Sequence, residues 1–330
     1  AAAAYDSPAG VRRAAVPEER PRTPAMTEEE AGAGADSITR TARKRELVVE
    51  LTERPSAMHA CKGRVWVGCR AGSLFVFDIA SERLLTRHRM HDKRIYSIVS
   101  VENQVWTSSE YGKVLVWDAE ELTLITEIQA HAANSLIRCL MLGRNRVWTA
   151  SPMDNRINAW SIKTFEKAFT VETGRDCPAN CMTLLPNQEL WVGTHKDVVV
   201  YELDDGAGTL TLRYRLLSHS RKVNCLLVVK GEEMWSGSDD GTICIWDIAS
   251  KELISVLTTR SGAIRSLVQV DGNTVWSGQA QNSIIIWDIR TRQPKEELEG
   301  SQSVLAMCCP QSSVLWYGTE GKTLHVLDYS

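Results

Sequence analysis

The sequence predicts an all-β ring of seven four-stranded sheets, a β-propeller whose last sheet is completed by a strand from near the start of the chain. Three observations carry that prediction. First, one block recurs in phase: VWVGCRAGSLFVFD from Val65, VWTSSEYGKVLVWD from Val105, VWTASPMDNRINAWS from Val147, LWVGTHKDVVVYE from Leu190, MWSGSDDGTICIWD from Met234, VWSGQAQNSIIIWD from Val275 and LWYGTEGKTLHVLD from Leu315. Second, the leading tryptophans Trp66, Trp106, Trp148, Trp191, Trp235, Trp276 and Trp316 stand 40, 42, 43, 44, 41 and 40 residues apart, the period of one four-stranded blade. Third, the apolar residues between 44 and 330 alternate or run in short stretches, and no helical period competes with them.

Each element has its own justification. Residues 1–43 are rich in Ala, Glu, Arg, Pro and Gly, with AGAGA at 31–35 and no apolar period, so they are expected to form a disordered or linker segment preceding the propeller at 44–330. Within a repeat, an alternating run such as Ile264 to Val270 passes through a short polar turn, DGNT at 271–274, into the tryptophan strand. A second turn, often carrying glycine (Gly72, Gly112, Gly241, Gly321), leads to a β-branched strand that usually ends in an aromatic residue and Asp. Stretches such as ELISVL at 252–257 supply the outer strand. The seventh repeat stops at its third strand, and an open ring would expose two sheet edges. KRELVVEL at 44–51 alternates as a strand and is therefore assigned to the seventh blade beside Thr323–Leu327. The sequence begins AAAAYD without methionine and is treated as an excerpt of something longer.

Composition excludes several classes of function. With 38 Lys plus Arg against 41 Asp plus Glu, the net charge of −3 is not that of a phosphate-backbone binder, so nucleic acid is not an expected partner. No apolar run is long enough for a membrane helix and no secretory signal stands near the start, so an intracellular, most simply cytoplasmic, location without membrane insertion is expected. The nine cysteines include several in apolar runs, such as Cys225 and Cys244, and these read as reduced thiols. Cys177 with Cys181 is the nearest thing to a metal signal, but no second pair stands at finger or ribbon spacing; no metal and no cofactor are expected.

The blocks resemble WD40 repeats, whose closing dipeptide appears as Trp117-Asp118, Trp246-Asp247 and Trp287-Asp288. The resemblance covers about 285 residues and is specific for fold rather than function. It implies a buried network of His, Ser or Thr, Asp and Trp in each blade. Blade five matches with His219, Ser236 or Ser238, Asp240 and Trp246. Blade two has Tyr111 where the Asp belongs beside His91; in blade three His131 is displaced by two residues relative to Asp154. Blades one, four and seven close with Phe77, Tyr201 and Leu327. The tryptophan at the second position of every block departs from the family's usual pattern, and its identical placement in all blades favours packing between blades over a surface aromatic grip.

Catalytic signatures are absent. None of the seven histidines sits in a hydrolase motif. Gly321-Lys322-Thr323 resembles the end of a phosphate-binding loop, but Trp316 stands where its first glycine should, and Asp239-Asp240 falls in a turn rather than across a cleft. The chain is expected to be a non-enzyme, a scaffold or adaptor for protein–protein interaction. Two alternatives stay open: a regulatory module of a larger signalling enzyme, since similar propellers accompany GTPase-regulating, kinase and inositol-phosphatase domains, or a substrate receptor of a ubiquitin ligase.

The residues following the apolar opener of each innermost strand, Ser56, Tyr96, Arg138, Asn180, Asn224, Arg265 and Leu305, are expected around the mouth of the central channel. Ile137-Arg138-Cys139-Leu140 and Ile264-Arg265-Ser266-Leu267 partly resemble the pattern by which F-box propellers place arginines against phosphorylated peptides. Tyr96, Arg138 and Arg265, with Lys93, Arg94 and Lys222 on neighbouring loops, form the expected partner site for an acidic or phosphorylated segment. The turn positions Glu110, Asp239 and Glu320 beside them are acidic.

Overall fold

A computed structural model describes residues 45–173, 178–204, 206–260, 262–300 and 302–329. Among these, strands numbered β1 to β28 in chain order form seven antiparallel four-stranded sheets. Six blades take four consecutive strands each, from β2 (Pro55–Cys61), β3 (Arg64–Cys69), β4 (Ser73–Asp78) and β5 (Leu84–Arg89) in blade one onward. The seventh combines β26 (Val304–Gln311), β27 (Val314–Thr319) and β28 (Thr323–Asp328) with β1 (Arg45–Glu50). Closure therefore occurs as the alternation at 44–51 predicts: Leu47 lies opposite Val326, and Val49 opposite Leu324. Leu47 and Val49 are half-buried and Leu51 is buried, packing with Phe75, Phe77 and Trp316 where blade seven meets blade one. The segment expected to be a linker, 1–43, lies outside the described residues, as does Cys177.

All eleven tryptophans are buried, and the seven block-leading rings pack between blades. Residues near the turn between the third and outer strands of one blade reach the tryptophan of the blade before. Phe165 lies 6.0 Å from Trp106, and Lys251 sits over Trp191 at 5.5 Å. Tyr329, beyond the last strand, meets Trp276 edge-on at 4.9 Å. The indole N–H is served by the residue two positions earlier where that side chain can accept: Gln104, Glu189, Glu233 and Thr274 do so at 3.0, 3.3, 2.9 and 3.1 Å. Arg64 and Val314 cannot, and the buried Nε1 atoms of Trp66 and Trp316 are without partners. In blade three Arg146 occupies the position, and Trp148 donates instead to the Gly143 carbonyl at 3.1 Å.

The His–Ser/Thr–Asp–Trp network is complete in blade five, where the hydroxyl belongs to Ser236 and not Ser238: His219 Nε2 to Ser236 Oγ is 2.8 Å, Trp246 Nε1 to Ser236 Oγ 3.1 Å, and His219 Nδ1 to Asp240 3.3 Å. It is complete in blade three as well. His131 bridges Asp154 and Thr149 at 2.8 Å each, and Trp160 donates to Thr149 at 3.1 Å. The displacement in sequence is absorbed by a turn in which Ser135 N donates to the Ala132 carbonyl. In blade two His91 reaches Thr107 at 2.8 Å, while Tyr111 points to solvent.

Candidate interaction site at the channel mouth

The innermost strands β2, β6 (Ser97–Val101), β10 (Cys139–Gly143), β14 (Cys181–Leu184), β18 (Val223–Val229), β22 (Ile264–Gln269) and β26 surround the axis, and all seven residues expected at the mouth line one cavity there, with a volume of about 350 Å³. Their aim has a local cause. Ser56, Asn224, Arg265 and Leu305 are the skipped residues of register shifts at the starts of β2, β18, β22 and β26, and a bulge turns its extra side chain out of the ladder. Tyr96, Arg138 and Asn180 stand just before their strands, each with its N–H bonded to a carbonyl of the second strand, at 2.9, 3.1 and 2.9 Å.

Of the six residues singled out from sequence, Tyr96, Arg138, Arg265, Arg94 and Lys222 line this mouth. Lys93 does not; its side chain is exposed, and its carbonyl accepts from Ser109 Oγ at 3.0 Å. Arg70 also lines it and was not foreseen; Asn180, expected at the mouth, and Glu320, expected beside it, line it too, though neither was placed in the partner site. Arg70 follows the second strand rather than preceding an inner one, so the opener-plus-one rule could not find it. Asn180 obeyed that rule but was passed over because it carries no charge.

Charge is distributed unevenly around the ring. On one side Asp239 receives Arg265 at 2.8 Å, Lys222 at 3.3 Å and Asn224 Nδ2 at 2.7 Å. Burial alone would raise the Asp239 carboxyl, yet the Asn224 hydrogen bond and the two cations hold it below its usual range. Glu320 is bound by Arg54 at 2.8 Å and Arg70 at 3.1 Å. On the opposite side Arg94 and Arg138 lie over the Tyr96 ring, 5.0 and 5.9 Å from its centroid, with Tyr96 itself anchored to Glu110 at 3.2 Å. Among the described residues no carboxylate pairs with Arg94 or Arg138. Burial and then the neighbouring cations Arg70, Arg138 and Arg265 lower the Arg94 pKa; burial followed by Arg138 lowers that of Lys222. Like charges have been gathered there with too few anions to answer them.

No group of three or more His, Cys, Asp or Glu arranged to hold a metal occurs among the described residues. The eight described cysteines are free, four of them buried and four, including Cys181 and Cys225, partly so. Burial raises the thiols of Cys69, Cys139 and Cys225 to about 12. Gly321-Lys322-Thr323 is the turn into β28: Lys322 has φ 67°, Leu51 N donates to its carbonyl, and Thr323 Oγ1 bonds His325 at 2.9 Å. No described helix is long and apolar enough to cross a membrane.

Comparison with known proteins agrees with this architecture. The model of the WD domain, G-beta repeat, matches residues 210–247, which run from the outer strand of blade four to the closing Trp246-Asp247 of blade five. The chain is a seven-bladed β-propeller with a WD40 repeat at residues 210–247. The match ends on blade five, one of the two blades, with blade three, whose polar networks keep every member of the family pattern. Among curated proteins, this propeller is 25% identical over 191 residues to the WD repeat-containing protein 55 homolog of Dictyostelium discoideum, covering 57% of this chain and 45% of that one. It is 23% identical over 200 residues to a probable inositol polyphosphate 5-phosphatase of Schizosaccharomyces pombe, 56% of this chain and 16% of the other. A probable serine/threonine-protein kinase of Dictyostelium discoideum, pats1, is 24% identical over 187 residues, 56% of this chain and 6% of the kinase. The propeller thus spans less than half the length of these relatives. WD40 propellers generally act as non-catalytic modules that bind other proteins.

Proposed function

We propose that this propeller is a non-catalytic scaffold or adaptor that captures an acidic or phosphorylated segment of a partner protein at the channel mouth, inside the cell and most simply in the cytoplasm. The observation that carries this reading is the excess of cations there: Arg70, Arg94, Arg138, Lys222 and Arg265 line the cavity against one lining carboxylate, Glu320. Arginine suits the task because its planar fork pairs with carboxylate or phosphate and keeps its charge when partly desolvated. The similarity to segments of a phosphatase and a kinase many times longer supports a second reading, in which the same surface belongs to a regulatory module within a larger signalling enzyme.

Affinity capture from cell extract with the full 330-residue chain and its Arg138→Ala/Arg265→Ala variant tests the site. The main co-purifying protein is expected to fall at least about tenfold with the melting temperature nearly unchanged. Full retention would move the site to the other face or to the blade edges. Saturable ATP or GTP binding abolished by Lys322→Ala would overturn the non-catalytic reading.

A further inference from the structure

The mouth divides into a half whose cations are answered and a half whose cations are not. Arg265 and Lys222 share Asp239, and Arg70 holds Glu320. Arg94 and Arg138 flank Tyr96, neither paired with a carboxylate among the described residues, and the Nε of Arg94 is buried without a hydrogen-bond partner. Next along the ring, in blade four, comes Asn180. It is 5% exposed, lines the cavity, and neither its Nδ2 nor its Oδ1 has a partner in the protein. A buried amide left unanswered costs on the order of 1–3 kcal/mol, and a small apolar residue in its place would avoid that cost. Two unpaired guanidinium groups and one unanswered amide on three successive blades are thus arranged toward the same space.

We propose that blades two to four form a seat for a phosphate monoester, gripped by Arg94 and Arg138 and by the Nδ2 of Asn180, and that the ester is borne by a phosphorylated side chain of a partner protein. This rests on the reading of the mouth as the recognition site and deepens it by choosing phosphate over carboxylate and by moving the anion away from Arg265. The choice follows from charge and valence. A phosphoryl group brings about −1.5 to −2 charges at neutral pH and three acceptor oxygens, enough for two guanidinium forks and an amide together. A single carboxylate brings one charge and two oxygens, leaving part of the repulsion among Arg70, Arg94 and Arg138 in place. Tyr96 fixes the spacing, because both guanidinium groups lie over its ring and its hydroxyl is tied to Glu110.

The test uses the full chain and three probes: a capped Gly-phosphoserine-Gly peptide, the same peptide with aspartate, and inorganic phosphate, titrated by calorimetry at moderate salt. The phosphoserine peptide is expected to bind at least about tenfold more tightly than either other probe. Arg138→Ala and Asn180→Ala should each weaken it about tenfold, while Arg265→Ala, whose partner is Asp239, should change it less than about threefold. Asn180→Ala should also leave the melting temperature equal or higher, which a purely structural asparagine would not do. Equal binding of the aspartate peptide, equal binding of inorganic phosphate, or an Arg265→Ala loss as large as that of Arg138→Ala would each overturn the proposal. Failure here with capture still lost in the Arg138/Arg265 double variant would leave the mouth as the interaction site and remove only the phosphate seat.

Discussion

In blade five the four strands follow one another along the chain, and a buried histidine, serine and tryptophan with a partly buried aspartate bind the incoming loop to the sheet. In blade seven the fourth strand arrives from some 270 residues away, Leu327 stands where the closing tryptophan would be, and the polar ties lie nearer the surface. There Gln302 accepts from Thr319 at 2.6 Å, Thr323 meets His325 at 2.9 Å, and Glu46 of the latching strand accepts from Tyr317 at 3.0 Å and lies 3.2 Å from His325. Blade five is secured locally by desolvated polar groups; blade seven is secured by apolar burial of a remote strand, with its hydrogen bonds secondary. The two blades should therefore break under different insults.

The largest effect is expected from the latch. Deleting residues 1–52 removes the β1 ladder and uncovers the surface packed by Leu47, Val49 and Leu51, a loss of about 5 kcal/mol by apolar burial alone. Deleting 1–40 should leave the melting temperature unchanged. Equal melting temperatures for the two truncations would show that blade seven closes without the latch.

Next comes Asp240→Asn in blade five. Burial alone would depress His219, but its hydrogen bonds to Asp240 and Cys244 outweigh burial and raise it to about 9. A histidine raised from 6.5 contributes stability that is fully present below pH 6.5 and is lost as pH rises through about 9; the Asp240 carboxylate, held low, contributes above its ordinary 3.8 and loses that contribution in acid. The variant should thus lose about 3 kcal/mol between pH 4 and 6.5 and approach the parent near pH 9. A deficit independent of pH would detach the histidine charge from the network. Blade two carries the opposite case. With Tyr111 in place of the aspartate, burial holds His91 at about 4, so that blade loses stability as pH falls from 6.5 toward 4. Replacing His91 with Gln should flatten this part of the acid limb in a urea-unfolding series.

Smaller effects separate the blades further. Val314→Thr should give Trp316 Nε1 the acceptor that Thr274 gives Trp276 at 3.1 Å, a gain of up to about 1 kcal/mol in chemical denaturation. A loss would mean that the apolar contacts of Val314 matter more than the indole hydrogen bond. Smallest of all, Glu46→Gln should cost only about 0.5 kcal/mol, because the carboxylate is partly solvated. A cost comparable to that of Asp240→Asn would make the two blades alike after all.

The sequence by itself determined the ring. Seven tryptophan-led blocks at a nearly constant period leave one way to bury all their apolar faces, and the alternation at 44–51 supplied the fourth strand of the seventh sheet. It also determined which positions reach the channel mouth, because every inner strand begins at the same place in its repeat and all seven of those positions do line it. Tertiary structure decided what a repeat cannot encode. The pairing of Asp239 with Arg265 and Lys222 spans separate repeats or loops, as does that of Glu320 with Arg54 and Arg70, and these pairs determine which cations stay unanswered. The completion of blade three's network depended on a loop turn that compensated the two-residue displacement of His131. Asn180 carries no charge to betray it in a sequence; only its burial without partners, a property of the closed ring, marks it. Periodicity fixes where side chains lie along and around the ring, while charge balance and hydrogen-bond satisfaction are set by neighbours that meet only once the ring has closed.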